Sequence, residues 1–298
     1  MKQNDFNIIR DKYHYEESLR DFLEQVYEAF LLEFGEDYRD IIYNAFLNTP
    51  VSSCSNIYQG LKNRNMLSDN FGLVKEADLR RASGVYQSYP NIEYNNGKYF
   101  LKSVDRVVLI QDLDLSKEQS KSTLIHELGH LIKSYQNEFK IDDDVLTTRS
   151  GLMETKEKLS YQDNKVTREM ILERGVGLEE GLNSVLEEKI CKKLIHPDYE
   201  VKGYGIINVL AGNTLNMLDC KNEVYQEQML KNNDLNTTFK GVYTDFLKVM
   251  DKMYYLTLKL FGNAFNSEEM HKTSDEMKYL LETEFRDYAD IFKGKTRG

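Results

Sequence analysis

Residues 121–133 read Lys-Ser-Thr-Leu-Ile-His-Glu-Leu-Gly-His-Leu-Ile-Lys, and no other stretch restricts the chain so tightly. Leu124, Ile125, Leu128, Leu131 and Ile132 recur at helical spacing and predict a helix buried along most of its girth. Within that apolar setting stand His126, Glu127 and His130. Residues four apart on a helix differ by about 40° around the axis, so the two histidines share a face. Two imidazoles stacked in this way can grip one Zn²⁺. Glu127, about 100° round, reaches a water on the metal without competing as a ligand. A fold built on this helix buries its apolar side and turns its histidine side toward a metal.

At 298 residues the chain can bury a large core, as one domain or as two to three lobes. Its 41% hydrophobic and 30% charged residues fit an ordinary soluble protein and exclude a fibrous or low-complexity class. A net charge of −10 with no compensating basic block argues against a nucleic-acid surface. Cys54, Cys191 and Cys220 are odd in number and show no metal-ligand spacing, so they read as reduced thiols. The opening residues carry no apolar leader, and no run of 18 apolar residues occurs. The expectation is a cytoplasmic protein with no membrane partner, although a dedicated export machine would leave no such mark.

The expected class is α+β: a small twisted sheet plus an active-site helix, flanked by an N-terminal helical block and a mostly helical C-terminal lobe. The divisions fall at 1–80, 81–150 and 151–298. In the first block, Leu19, Phe22, Leu23, Val26, Tyr27, Phe30 and Leu31 mark one side of a helix over 14–34. A short helix follows over Tyr38–Leu47, and 48–70 reads as a loop around a helix near Ile57–Leu61. Gly84–Tyr89, Ile92–Tyr94 and Tyr99–Leu101 favour extended chain around the turn signal Asn95-Asn96-Gly97, and Arg106–Ile110 is a strand. An edge strand beside the motif helix would allow an extended peptide to add to the sheet. Ser116 is the expected N-cap of that helix, with Gln119 at N3. Asp142–Asp144 reads as a solvated loop, Val145–Leu159 as a hairpin and Val166–Leu172 as a helix. After the break at Gly175-Val176-Gly177, helices are expected over Leu178–Glu188, Tyr204–Leu218, Phe239–Phe261 and Ser267–Phe292. The Met and aromatic stripe of the last two is read as core.

A catalytic zinc needs a third protein ligand and an open position. The metzincin continuation would require Gly and His at 133 and 136, where Lys133 and Gln136 stand, so that class is excluded. On the wheel of the later helix, Leu178, Leu182, Val185 and Leu186 form the apolar face. Glu180, Ser184 and Glu187 lie away from it, and Glu179 flanks it. Either Glu179 or Glu180 could complete the site.

Together, His126-Glu127-x-x-His130 and Glu179-Glu180-Gly181-Leu182 resemble the gluzincins, the thermolysin-like zinc metallopeptidases. The resemblance covers these motifs and the strand–helix–helix order between them, about a third of the chain. It implies a zincin-like fold and one catalytic Zn²⁺ held by His126, His130 and Glu180, since Glu180 occupies the position before Gly181. Many members carry an acid four residues beyond the ligand Glu, which orients a zinc-binding His. Here that position is Ser184, so the orienting group must be Glu187 or a backbone carbonyl. The family also stabilises the oxyanion with a Tyr or His, for which Tyr204 in Gly203-Tyr204-Gly205 leads and His196 follows.

The resemblance implies hydrolysis of a peptide or protein substrate by metal-activated water, with Glu127 as general base. A protease restricted to one regulatory substrate and a catalytically silent zincin-fold binding module are the alternatives. An intact Glu127 argues against the silent module, which needs the ligands but not the base. A structural zinc is disfavoured because no fourth Cys or His is placed to close the site.

Overall fold

The computed structural model describes residues 5–67, 79–136, 139–201, 242–262 and 267–284. The N-terminal block consists of α1 (Asp5–Tyr13), α2 (Glu17–Phe34) and α3 (Arg39–Leu47), the last following a 3-10 turn at Glu36–Tyr38. Phe6, Tyr27 and Phe46 interlock there in tilted and edge-on pairs with centroids 5.5–6.5 Å apart. Of these helices, only α1 is not expected from the hydrophobic spacing.

Three strands follow. β1 (Val51–Cys54), β2 (Gly84–Asn95) and β3 (Lys98–Gln111) form a sheet in the order β1-β3-β2. The extended segments expected on either side of Asn96-Gly97 are one long hairpin, with a register shift at Asn91/Ile92. Asn96 and Gly97 both take positive φ, 50° and 79°, as the tight hairpin turn requires. β1 falls in the stretch read as a loop. Its four residues are too few to show a period, and its parallel pairing with Val108–Gln111 supplies what local sequence does not. Between β1 and β2 lies α4 (Ile57–Asn63), started by Asn56, whose side chain accepts from the Gln59 amide at 3.1 Å. Val107 and Leu109 bury against Ile57, Leu61, Met66 and Leu79. Alternation turns Val108 and Ile110 to the opposite face of β3.

The motif helix, α5 (Glu118–Ser134), packs against β2 and β3. Ser116 is not its N-cap. Asp114 accepts from the Ser116 amide at 3.0 Å and from its hydroxyl at 2.6 Å, which closes a local turn. The helix instead begins after Lys117, with no side-chain cap.

Beyond α5, β4 (Phe139–Asp142), β5 (Val145–Ser150), β6 (Met153–Gln162) and β7 (Lys165–Arg174) form a meander in that order. The expected helix at Val166–Leu172 is therefore a strand. Val166, Arg168, Met170 and Leu172 are half-buried, while Thr167, Glu169 and Ile171 are exposed, a period of two. Asp163 and Asn164, at φ 50° and 61°, turn it back on β6. α6 (Val176–Leu194) then runs unbroken through Glu179-Glu180-Gly181-Leu182.

Two compact units divide the chain, one of residues 1–150, 155–173 and 186–200, the other of 151–154, 174–185 and 201–298. In the second, α7 (Val242–Gly262) and α8 (Ser267–Glu282) pack together. Met250, Met253, Tyr254 and Leu256 are buried there, so the Met and aromatic stripe is core. Ion pairs Lys252–Glu276 and Lys259–Glu269 flank it at 3.5 and 3.3 Å. The helix expected over Tyr204–Leu218 lies outside the described residues. Among the described residues, no helix is long and apolar enough to cross a membrane.

Candidate metal centre

The burial of α5 follows its sequence. Leu124, Ile125, Leu128, Leu131 and Ile132 are at most 1% exposed. On the other side, His126 and His130 meet edge-on with ring centroids 4.8 Å apart and Nε2 atoms 3.2 Å apart. The remaining nitrogen of His126, Nδ1, lies 2.9 Å from Glu187 Oε2. A proton on Nδ1 donated to that carboxylate leaves the Nε2 lone pair directed toward His130.

Glu187 lies on α6, and Glu180 lies seven residues before it on the same unbroken helix. Seven residues make almost two full turns, so both carboxylates project from one face. The two imidazoles suit zinc: Zn–N bonds of about 2.0–2.1 Å set tetrahedral ligand separations near 3.3 Å, close to the Nε2–Nε2 distance of 3.2 Å.

Adjacent carboxylates on α6 separate in role. Glu179 is 2% exposed, and its Oε2 accepts from the Leu152 amide at 3.0 Å. Gly151, at φ +57°, sits so close to that carboxylate that a Cβ would collide with it. Glu179 is thus committed to the 151–152 turn, whereas Glu180 shares the face of α6 that carries Glu187. Ser184, at the position where the sequence lacks an orienting acid, is buried with a hydroxyl that meets no hydrogen-bond partner among the described residues. Glu187 contacts His126 instead.

Glu127 is 9% exposed and held by the main chain: the Tyr86 amide donates to its Oε2 at 2.7 Å. This bond depends on how closely β2 approaches α5. A Cβ on Gly84 would lie 2.6 Å from Thr123 Cγ2, 3.0 Å from Glu127 Cγ and 3.1 Å from Ile110 Cδ1. Only the missing side chain lets the strand come so near.

Tyr199 does not stand out in the sequence. It is 6% exposed, and its hydroxyl donates to Glu187 Oε1 at 3.3 Å. Burial is the main reason its phenol is pushed well above the ordinary tyrosine range. Burial, followed by the charge of Glu187, does the same to the Cys191 thiol, which is therefore unreactive. Nothing local announces Tyr199, because it reaches Glu187 by way of the His196-Pro197-Asp198 break. Cys54 is half-buried with its thiol also pushed up, chiefly by burial, and Cys220 lies outside the described residues.

Tyr204, the first candidate for oxyanion stabiliser, lies outside the described residues. His196, the second, is 41% exposed, 3.7 Å from Glu118 and packed against the Tyr199 ring. No family model, curated protein or solved structure matches the chain.

Proposed function

We propose that this chain is a zinc-dependent peptidase of gluzincin type, with His126, His130 and Glu180 as metal ligands and Glu127 as general base. The observation that carries the reading is the paired imidazoles of His126 and His130, with Nε2 atoms 3.2 Å apart and Glu127 on the same helix. Glu187, at 2.9 Å from His126 Nδ1, supplies the orienting carboxylate that Ser184 does not.

Zinc bound there supplies Lewis acidity, which lowers the pKa of a water toward neutrality and polarises a carbonyl. Glu127 accepts the proton of the attacking water and returns it to the leaving amine. The Tyr86 amide keeps the Glu127 carboxylate in place between those transfers. Tyr204 is the proposed donor to the oxyanion.

The outer edge of β2 is the proposed track for the substrate. Val108 donates its N–H to Pro50 O on the β1 side at 2.9 Å, so its pairing with Tyr86 is a non-hydrogen-bonded one. The Tyr86 amide therefore faces away from β3, toward Glu127. An extended peptide added to this edge passes directly beside the base.

The test is the purified chain and its Glu127→Gln variant, assayed for zinc after dialysis and for cleavage of an unbiased peptide library with and without chelator. Both should retain zinc. Wild type should cleave in a chelator-sensitive way, and the variant should lose about 10²–10⁴-fold in rate. A fully active variant, or a wild type that holds no zinc, overturns the proposal.

A further inference from the structure

Tyr199 joins the two helices of the site at the level of His126. It follows the end of α6, where its amide donates to the His196 carbonyl at 3.1 Å. Its hydroxyl donates to Glu187 Oε1 at 3.3 Å, while Glu187 Oε2 faces His126 Nδ1 at 2.9 Å. The Ser122 hydroxyl, one turn before His126 on α5, donates to the Gln119 carbonyl at 3.1 Å and neighbours the phenol. One buried side chain thus touches both α5 and the carboxylate of α6.

A carboxylate bound through a single oxygen can still rotate about its Cγ–Cδ bond and carry an imidazole partner out of line. A donor on its other oxygen removes that freedom. We infer that Tyr199 is a positioning residue, which holds Glu187 in plane and so keeps His126 Nε2 turned toward the metal position. The inference rests on the zinc reading above. It adds a group that acts only through Glu187, and it predicts coupling rather than simple loss. Outer partners of zinc-binding histidines change metal affinity by about 10–100-fold when removed.

The experiment measures zinc affinity of the full chain by competition with a chromophoric chelator, for wild type, Tyr199→Phe, Glu187→Ala and the double variant. Tyr199→Phe should bind zinc about tenfold more weakly, and Glu187→Ala more weakly still. The double variant should match Glu187→Ala, because Tyr199 has nothing left to position. A Tyr199 that serves only as packing would add its own loss in the Glu187→Ala background.

A Tyr199→Phe chain with wild-type affinity, or losses that multiply in the double variant, overturns the inference while the zinc reading stands. A wild type that binds no zinc overturns both. Should Tyr199→Phe fail to fold, Tyr199→Met removes the donor and keeps an adaptable apolar side chain in its place. It should also weaken zinc about tenfold. That loss should vanish in the Glu187→Ala background, and an unchanged Tyr199→Met affinity overturns the inference.

Discussion

α5 and α6 carry their carboxylates and imidazoles by opposite means. α5 begins at Lys117 with no side-chain cap and is held by an apolar side that is almost wholly buried. α6 begins under a carboxylate from far along the chain: Asp251 accepts from the Gly175 and Gly177 amides, both at 2.8 Å, through separate oxygens. It then buries Glu179, Asn183, Ser184 and Glu187 beside Leu178, Leu182, Leu186 and Ile190. Apolar burial is non-directional and tolerates small slips, whereas the Glu179 and Glu187 carboxylates of α6 meet their partners at a defined angle and distance. The histidines therefore ride on a robust element, and the carboxylates ride on one whose register depends on individual bonds.

That contrast is tested most severely by Glu180 and Glu179, neighbours on α6 with different proposed roles. Glu180→Ala should weaken zinc by more than the roughly 100-fold upper end for outer partners, since it removes a proposed ligand. Its folding stability in the absence of metal should change little. Glu179→Ala should do the reverse, leaving the Leu152 amide without its carboxylate at a cost of about 1–3 kcal/mol in denaturant unfolding, with zinc affinity near wild type. If Glu179→Ala loses more zinc than Glu180→Ala, the two roles are exchanged.

Legibility follows the same division. α5 can be read because its signal is local: a histidine pair four apart inside an apolar stripe. The β2–β3 hairpin is readable from Asn96-Gly97 and the β-branched centre of β3. β7 passes for a helix because Val166 and Met170, four apart, also satisfy a helical period, and the alternation becomes apparent only beside β6. On α6 the apolar positions are visible, but the burial of its polar side is not. Its partners Asp251 and Tyr199, and the commitment of Glu179 to Leu152, arrive through tertiary contacts. Gly84 is of the same kind, since in sequence it is only the start of an extended segment. Gly84→Ala should press β2 off α5 at Thr123, cost about 1–3 kcal/mol and loosen the Tyr86–Glu127 bond. Thermal unfolding reads the first effect, and a lower kcat with unchanged zinc content reads the second. A stable, fully active variant would show that α5 is less closely fitted to β2 than its burial implies.

The mildest consequences belong to the starts of the two helices, and at α6 they depend on pH. Burial raises the Asp251 carboxyl above its ordinary value of 3.8, outweighing the backbone amides that pull it down. The folded chain thus keeps this proton over a range in which the unfolded chain has lost it. The contribution of Asp251 is complete below its ordinary value and is lost as pH rises through the raised folded one. An asparagine side chain does not titrate, so Asp251→Asn should cost about 1 kcal/mol at the acidic end of that window and less at neutral pH. Urea unfolding across the window measures the difference. A wild type that instead gains on the variant as pH rises would mean that the amides of α6 outweigh burial. Lys117→Ala, at the uncapped start of α5, removes no capping bond and should stay within about 0.5 kcal/mol of wild type throughout. A pH-dependent loss there would erase the distinction between the two helices, because it would show α5 relying on a directional contact at its first turn as α6 does.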